Sequence, residues 1–195
     1  RDLAGRAILP AKPLSDAQLQ PASLDLRLGA RAFRVRASFL PGPEATVEAK
    51  IGKYGLYDID LAEGAVLERG CVYIVPLLES LDLPASLSGT ANPKSSTGRL
   101  DIFTRLITDR SSEFDRIRPG YAGPLYAEIS PRTFSVRVAT GSRLSQLRLR
   151  RGRTATSNAD LRRLHARDPL VEQGEGDAII ERGRLSISID LAGHP

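Results

Sequence analysis

Methionine and tryptophan are missing altogether, cysteine occurs once, and histidine occurs twice in 195 residues. Each shortage removes a class of chemistry. Cys71 alone makes no internal disulfide, and its place in an apolar run reads as a buried structural thiol. Zinc-dependent hydrolysis needs several converging His and Cys ligands beside a Glu. Cys71 with His165 and His194, both late in the chain, does not supply that set. The same shortage leaves a histidine-based nucleophilic triad of the usual form without its parts. Aromatic residues are only 5%, so the core is expected to be built from Leu, Ile, Val and Ala. Apolar stretches such as Val72 to Leu78 are far too short to span a bilayer. No charged, apolar and small-residue leader opens the chain, so no signal peptide is expected and the cytoplasm is the expected compartment. The first residue is Arg, and Leu185 to Leu191 reads as a strand just begun. Both suggest a piece of something longer.

What is present fits a soluble β-rich domain. Hydrophobic residues are 41%, charged residues 26%, and the formal charge is +5, a balance that favours polyanionic partners. The one basic cluster, Arg148, Arg150, Arg151 and Arg153, alternates with Leu147 and Leu149 as the solvated face of a strand does. No nucleic-acid partner is expected from it. Alternation of polar and apolar residues predicts strands over 23–28 and 31–39. Further strands are expected over 65–68, 71–77, 86–91, 102–108, 125–129, 135–138 and 145–149. Turn signals separate them, among them Gly70, Asn92-Pro93, Pro119-Gly120, Gly123-Pro124 and Gly141. Pro41-Gly42-Pro43 marks a loop, and the stretch from there to Lys53 is weakly patterned. Many short strands and few helical windows predict an all-β barrel or jelly roll. One late helix is expected, with Ser157 as its N-cap, Asp160 at the third position, and Leu161, Leu164 and His165 on one face. Gly174 to Asp177 reads as an exposed loop.

Four segments carry the chemistry. Gln20-Pro21-Ala22-Ser23-Leu24-Asp25-Leu26-Arg27-Leu28-Gly29 opens the β-rich part. Asn92-Pro93-Lys94-Ser95-Ser96-Thr97-Gly98-Arg99-Leu100 bunches two cations and three hydroxyls around a glycine. That turn either binds an anion through amides, hydroxyls and a guanidinium, or is simply a capped turn with a surface Arg. Gly120-Tyr121-Ala122-Gly123-Pro124-Leu125-Tyr126-Ala127-Glu128-Ile129 is a glycine-defined hairpin leading to a carboxylate in an apolar strand. Glu128 there points outward, as most glutamates do, or into a pocket, where desolvation suits it to proton transfer. Gly141-Ser142-Arg143-Leu144-Ser145-Gln146-Leu147 follows.

In this order and at these separations the four segments resemble the dCTP deaminase family over about residues 18–150. More closely, they resemble the amino-terminal part of two-part bacterial members in which two deaminase-like halves are fused. The resemblance implies a mainly all-β, dUTPase-like distorted β-barrel or jelly roll with a few short helices. That domain would span 1–155, with 156–195 a helix and linker leading toward a second domain. It implies hydrolytic deamination of dCTP to dUTP and ammonia, with Glu128 as general base and no protein-bound metal. Ser95 and Arg99 would reach the base, Lys94 and Ser96 the phosphates, and Thr97 and Gly98 belong to the same wrapping turn. Tyr121, Tyr126 and Ala127 would hold the ring and sugar, while Gln146 supports the core and interface. Mg²⁺ would travel with the triphosphate, dTTP is a candidate regulator, and the assembly would be a homotrimer or pseudo-hexamer with sites between subunits. One position departs from the pattern. Arg118 stands where the family places an Asp facing the sugar, and Asp115 replaces it only if the loop around Arg110 to Glu113 doubles back. Arg118 with Glu128 is the reverse of the dUTPase pairing, so pyrophosphate release ranks below deamination. A non-catalytic nucleotide-binding or trimerising half is the other alternative.

Overall fold

The computed structural model describes residues 3, 5–152, 156–171 and 178–187. They divide into two units, residues 1–152 and 153–195. In the first unit the chain runs through β1 (Ile8–Pro10), β2 (Leu24–Leu26), β3 (Arg31–Val35), α1 (Val47–Tyr54), β4 (Gly55–Asp60), β5 (Ala65–Leu67) and β6 (Val72–Asp82). It continues through β7 (Leu87–Pro93), α2 (Ser95–Arg99), β8 (Ile102–Thr108), β9 (Arg116–Ile117), β10 (Ala122–Pro131), β11 (Val136–Val138) and β12 (Ser145–Arg151).

A six-stranded sheet has the order β4-β3-β6-β10-β8, with β1 also on β6. A four-stranded sheet has the order β2-β12-β7-β9, and β5 pairs β11. Every ladder is antiparallel. Strand β6 is long enough for two partners on one edge: β3 takes Val72–Ile74 and β1 takes Glu79–Leu81. Pro76, which has no N–H to donate, falls in the gap between them. There Gly29 approaches so closely that its amide donates to the Pro76 carbonyl at 2.8 Å, and a Cβ on Gly29 would lie 2.5 Å from that oxygen.

Strand alternation decides which residues form the core. Leu24, Leu26, Leu87, Ala91 and Leu147 of the four-stranded sheet meet Ile8, Leu81, Leu106 and Leu125 of the six-stranded one. Farther along the same inner face, Leu67, Val136 and Val138 cover Tyr73, Val75, Ala127 and Ile129. The mainly β jelly-roll-like architecture is the one that the strand spacing predicts. Its two main sheets face each other across apolar side chains and do not close through hydrogen bonds among the described residues.

The outer face of the six-stranded sheet is covered differently. Val35, Ile74, Ile107 and Tyr126 pack with Val47 and Ile51 of α1, and with Phe39, Leu40 and Phe114 from loops. Helix α1 lies in the stretch expected to be weakly patterned, and β4 follows it directly. Thr46 caps the helix by accepting from the Ala49 amide at 3.2 Å, and Asp109 accepts the Val47 amide at 2.8 Å. Only Val47 of α1 is fully buried, and β4 is an edge strand with Leu56 and Tyr57 exposed, so neither carries a clean apolar period. Cys71 is half-buried rather than buried, its Sγ 3.8 Å from Glu68 Oε2. Arg148 and Arg150 are exposed on β12, as its alternation predicts.

In the second unit, α3 (Asn158–Arg167) starts at the expected cap: Ser157 Oγ accepts the Asp160 amide at 3.0 Å, and His165 is buried. A short hairpin of β13 (Ile180–Glu181) and β14 (Arg184–Leu185) follows. The expected loop 174–177 and residues 188–191 of the expected terminal strand lie outside the described residues.

Candidate active site

From Leu125 to Pro131 strand β10 is buried on both faces, and Glu128 sits at the middle of that stretch, 1% exposed. Because Leu125, Ala127 and Ile129 point to the inner core, Tyr126, Glu128 and Ser130 share the outer face. The outward, solvated orientation is therefore overturned: the sheet and its outer cover enclose the carboxylate. Its cross-strand neighbour on β8 is Arg105. Arg105 Nε donates to Glu128 Oε1 at 3.1 Å and its terminal nitrogen to the same oxygen at 2.6 Å, while also donating to Ser38 Oγ at 2.8 Å. The guanidinium lies 3.5 Å from the Phe114 ring centroid and 4.8 Å from that of Phe103. Glu128 Oε2 and Ser130 Oγ are buried without a hydrogen-bond partner among the described residues.

Asp115 borders this group. Its backbone takes the left-handed conformation (φ 61°), its Oδ1 accepts the Leu106 amide at 2.7 Å, and its own amide donates to the Leu106 carbonyl at 3.0 Å. Burial raises its pKa above the ordinary aspartate value. The Leu106 hydrogen bond and the Arg105 charge oppose that rise, and the Glu128 charge adds to it. Burial also raises the Tyr126 phenol to about 12, helped by the charges of Asp109 and Glu48.

The polar turn is a short helix, α2, that precedes β8. Ser95, Ser96, Gly98 and Arg99 are exposed, and Thr97 is buried. Among the described residues the side chains of Ser95, Ser96 and Arg99 have no hydrogen-bond or ion-pair partner. A Cβ on Gly98 would meet nothing within 4 Å. Lys94 differs from its neighbours, because its ammonium is paired with Asp25, a fully buried carboxylate on β2. Arg143 approaches the same oxygen at 3.8 Å. The Lys94 amide donates to the Leu144 carbonyl at 2.9 Å, and Ser23 Oγ donates to Gln146 Oε1 at 3.0 Å. Lys94 and α2 follow the end of β7, where Gln146 of β12 pairs with Asn92, so Lys94 and Gln146 lie near one end of the four-stranded sheet. No hydrogen bond or ion pair joins this group to Glu128 among the described residues.

Residues 2–153 match the model of the 2'-deoxycytidine 5'-triphosphate deaminase (DCD) N-terminal domain. The chain belongs to the dCTP deaminase family. A crystal structure of the 2'-deoxycytidine 5'-triphosphate deaminase from Agrobacterium tumefaciens superposes with a TM-score of 0.77 at 57% identity, over 85% of this chain and 50% of that one. The dCTP deaminase of Halorubrum lacusprofundi is 32% identical over 71% of this chain and 68% of its own length. The dUMP-forming dCTP deaminase of Corynebacterium glutamicum is 33% identical over 63% of this chain. This chain covers only 61% of that protein, and half of the Agrobacterium one.

Two dCTP deaminase site residues expected from the sequence turn away from the outer face. Ala127 buries its methyl in the inner core. Tyr121 is buried too, its hydroxyl donating to the Pro124 carbonyl at 2.6 Å and accepting from the Asp109 amide at 3.2 Å. Burial is the largest cause raising that phenol to about 12. Tyr121 therefore shapes the hairpin from inside, and its backbone is engaged as well, the amide donating to the Arg118 carbonyl at 3.3 Å and the carbonyl accepting the Leu83 amide at 2.8 Å. Gly123 has φ 150°, and a Cβ there would lie 2.8 Å from the Tyr121 hydroxyl oxygen. Arg118 is exposed, whereas Asp115 lies beside Arg105 as just described. Sequence reasoning missed Arg105. Its signal was an Arg inside the strand 102–108, at the position that antiparallel pairing sets opposite Glu128.

Proposed function

We propose that this domain binds dCTP and deaminates it to dUTP and ammonia, with Glu128 moving the protons. The observation that carries the reading is the buried Glu128 carboxylate, anchored through one oxygen and unpartnered at the other. It lies within the stretch that matches the dCTP deaminase N-terminal domain. Deamination of cytosine adds water at C4, protonates N3 and expels ammonia. One carboxylate can take the proton from water, deliver it to N3, and later assist protonation of the leaving amine. A buried Glu128 does this away from bulk water, where charge developing in the addition step is felt more strongly. The side chains of Ser95 and Arg99 supply uncommitted donors for the base, and that of Ser96 one for phosphate oxygens, while the Gly98 amide is taken by the Lys94 carbonyl at 3.0 Å. Lys94 would lend charge while held by Asp25. Among the described residues no hydrogen bond or ion pair joins Glu128 to the α2 residues, which supports a site completed by a neighbouring subunit in a homotrimer or pseudo-hexamer.

Among the described residues no three His, Cys, Asp or Glu converge as a metal-ligand set. Mg²⁺ in this reading is held by the phosphate oxygens of the substrate. No helix among the described residues is long and apolar enough to cross a membrane, and the cytoplasm is the compartment proposed. The half-length match to the Agrobacterium chain supports reading this domain as one of two fused halves, with dTTP a candidate regulator.

Incubation with dCTP and Mg²⁺, followed by ammonia and nucleotide analysis, tests the proposal. Glu128→Gln should lower ammonia release by about a hundredfold or more, the usual scale for a positioned acid–base group, while dCTP still raises Tm. Full activity in that variant would remove Glu128 as the proton carrier. Relatives named dUMP-forming favour a second reading in which dUTP is hydrolysed further. Pyrophosphate among the products would establish that reading.

A further inference from the structure

We infer that Arg105 is a positioning residue for the deamination: it holds Glu128 by one oxygen so that the other faces the substrate. The inference rests on the deaminase reading and adds a residue to it. Two nitrogens of one guanidinium converge on Oε1 at 3.1 and 2.6 Å. A bidentate arginine–carboxylate fork would instead take one oxygen with each nitrogen and occupy both. Oε2 is left buried and unpartnered. A buried carboxylate oxygen without a donor is costly, and a proton-bearing water or ring nitrogen would complete it. Ser130, one step along the same strand face, is likewise buried with its hydroxyl unpartnered.

Arg105 is itself held in place. Its ring contacts with Phe114 and Phe103 fix the guanidinium plane, and Ser38 takes a remaining donor. Its charge acts on Asp115 in the following loop, and Tyr126 and Ser130 flank its partner Glu128 two residues away on β10. Simple charge compensation would not need two aromatic rings and a hydroxyl. A rigid support for one rotamer of Glu128 does, since proton transfer demands heavy atoms within hydrogen-bond reach in a fixed direction. Nothing in the sequence pattern of the polar turn or the hairpin assigns this role.

The test compares the purified chain with Arg105→Gln and Arg105→Lys, measuring kcat and KM for dCTP by ammonia release, with the dCTP-induced Tm shift for binding. A misplaced catalytic group loses turnover more than affinity, so Arg105→Gln should lower kcat by about tenfold to a hundredfold. KM and the Tm shift should stay within about threefold and a degree or two of the parent, since Arg105 has no part in binding on this reading. Arg105→Lys keeps one charged donor to Oε1 and should recover part of kcat. A kcat within twofold of the parent in Arg105→Gln, or a loss confined to KM, would overturn the role. If Arg105→Lys were as slow as Arg105→Gln, the convergence of two nitrogens on Oε1 rather than the charge would be what positions Glu128, and the role would stand. No turnover of dCTP by the parent would instead sink the deaminase reading, and the positioning role with it.

Discussion

At the scale of single residues, the environment of a carboxylate decides what it does. Glu128, Asp115, Asp25 and Glu79 are all withdrawn from water to different degrees, and each meets a different set of donors. Glu79 is fully satisfied: Gln18 Nε2 donates at 3.0 Å, Arg27 Nε at 2.7 Å and the Arg27 amide at 2.8 Å. Glu128 keeps one oxygen free. Asp115 is a carboxylate whose titration bears on stability, because burial raises its pKa in the folded state. The folded protein therefore holds that proton more readily than the unfolded chain. Its stabilising contribution is complete below the ordinary aspartate range and is lost as pH rises through the raised value. Asp115→Asn keeps an oxygen for the Leu106 amide and tolerates the left-handed backbone. Its stability relative to the parent should improve as pH rises above that range and then level off, measured by urea denaturation at several pH values. A relative loss of stability over the same pH range would mean that the Arg105 interaction outweighs burial.

At the scale of elements, legibility followed exposure. Strand β8 lies at 102–108, where its pattern places it, because one face is core and the other is capped by aromatic rings. Helix α3 begins just after Ser157 because a serine followed three residues later by an acid is a local signal that needs no tertiary help. Helix α1 and edge strand β4 lacked such a pattern, since each buries little and β4 has a neighbour on only one side. Tertiary contacts supply what the period did not, the Asp109 carboxylate meeting the first turn of α1. Thr46→Ala removes the local half of that capping and should cost about 1 kcal/mol, read from the denaturation midpoint. A change below about 0.3 kcal/mol would mean that Asp109 caps the helix unaided.

At the scale of the whole unit, one buried network ties the sheets together. Arg27 follows β2 of the four-stranded sheet, Glu79 belongs to β6 of the six-stranded one, and Gln18 comes from the turn before β2. Gln18 Nε2 also donates to the Asp25 carbonyl, so the same network supports the strand that holds Lys94. Breaking a buried pair leaves its partner charge unpaired, so Glu79→Ala should destabilise the unit by about 3–5 kcal/mol. Denaturant midpoints at equal slope would measure it, and a cost under about 1 kcal/mol would mean that water replaces the carboxylate.

Composition, turn residues and alternation by themselves determined that the chain is mainly β and that its His and Cys are too few for a zinc site, while the order of four segments that resembles the dCTP deaminase family singled out Glu128 and the Lys94–Arg99 turn as candidates. These are local facts, written into which residues neighbour one another along the chain. That Glu128 is buried rather than solvated, that Arg105 and not a nearer residue holds it, and that Lys94 is paired with Asp25 were decided only by the tertiary structure. Each depends on antiparallel register and on which face of a strand is covered. Residues distant in sequence set both, and a one-residue shift in pairing would have turned every one of those side chains to the opposite face.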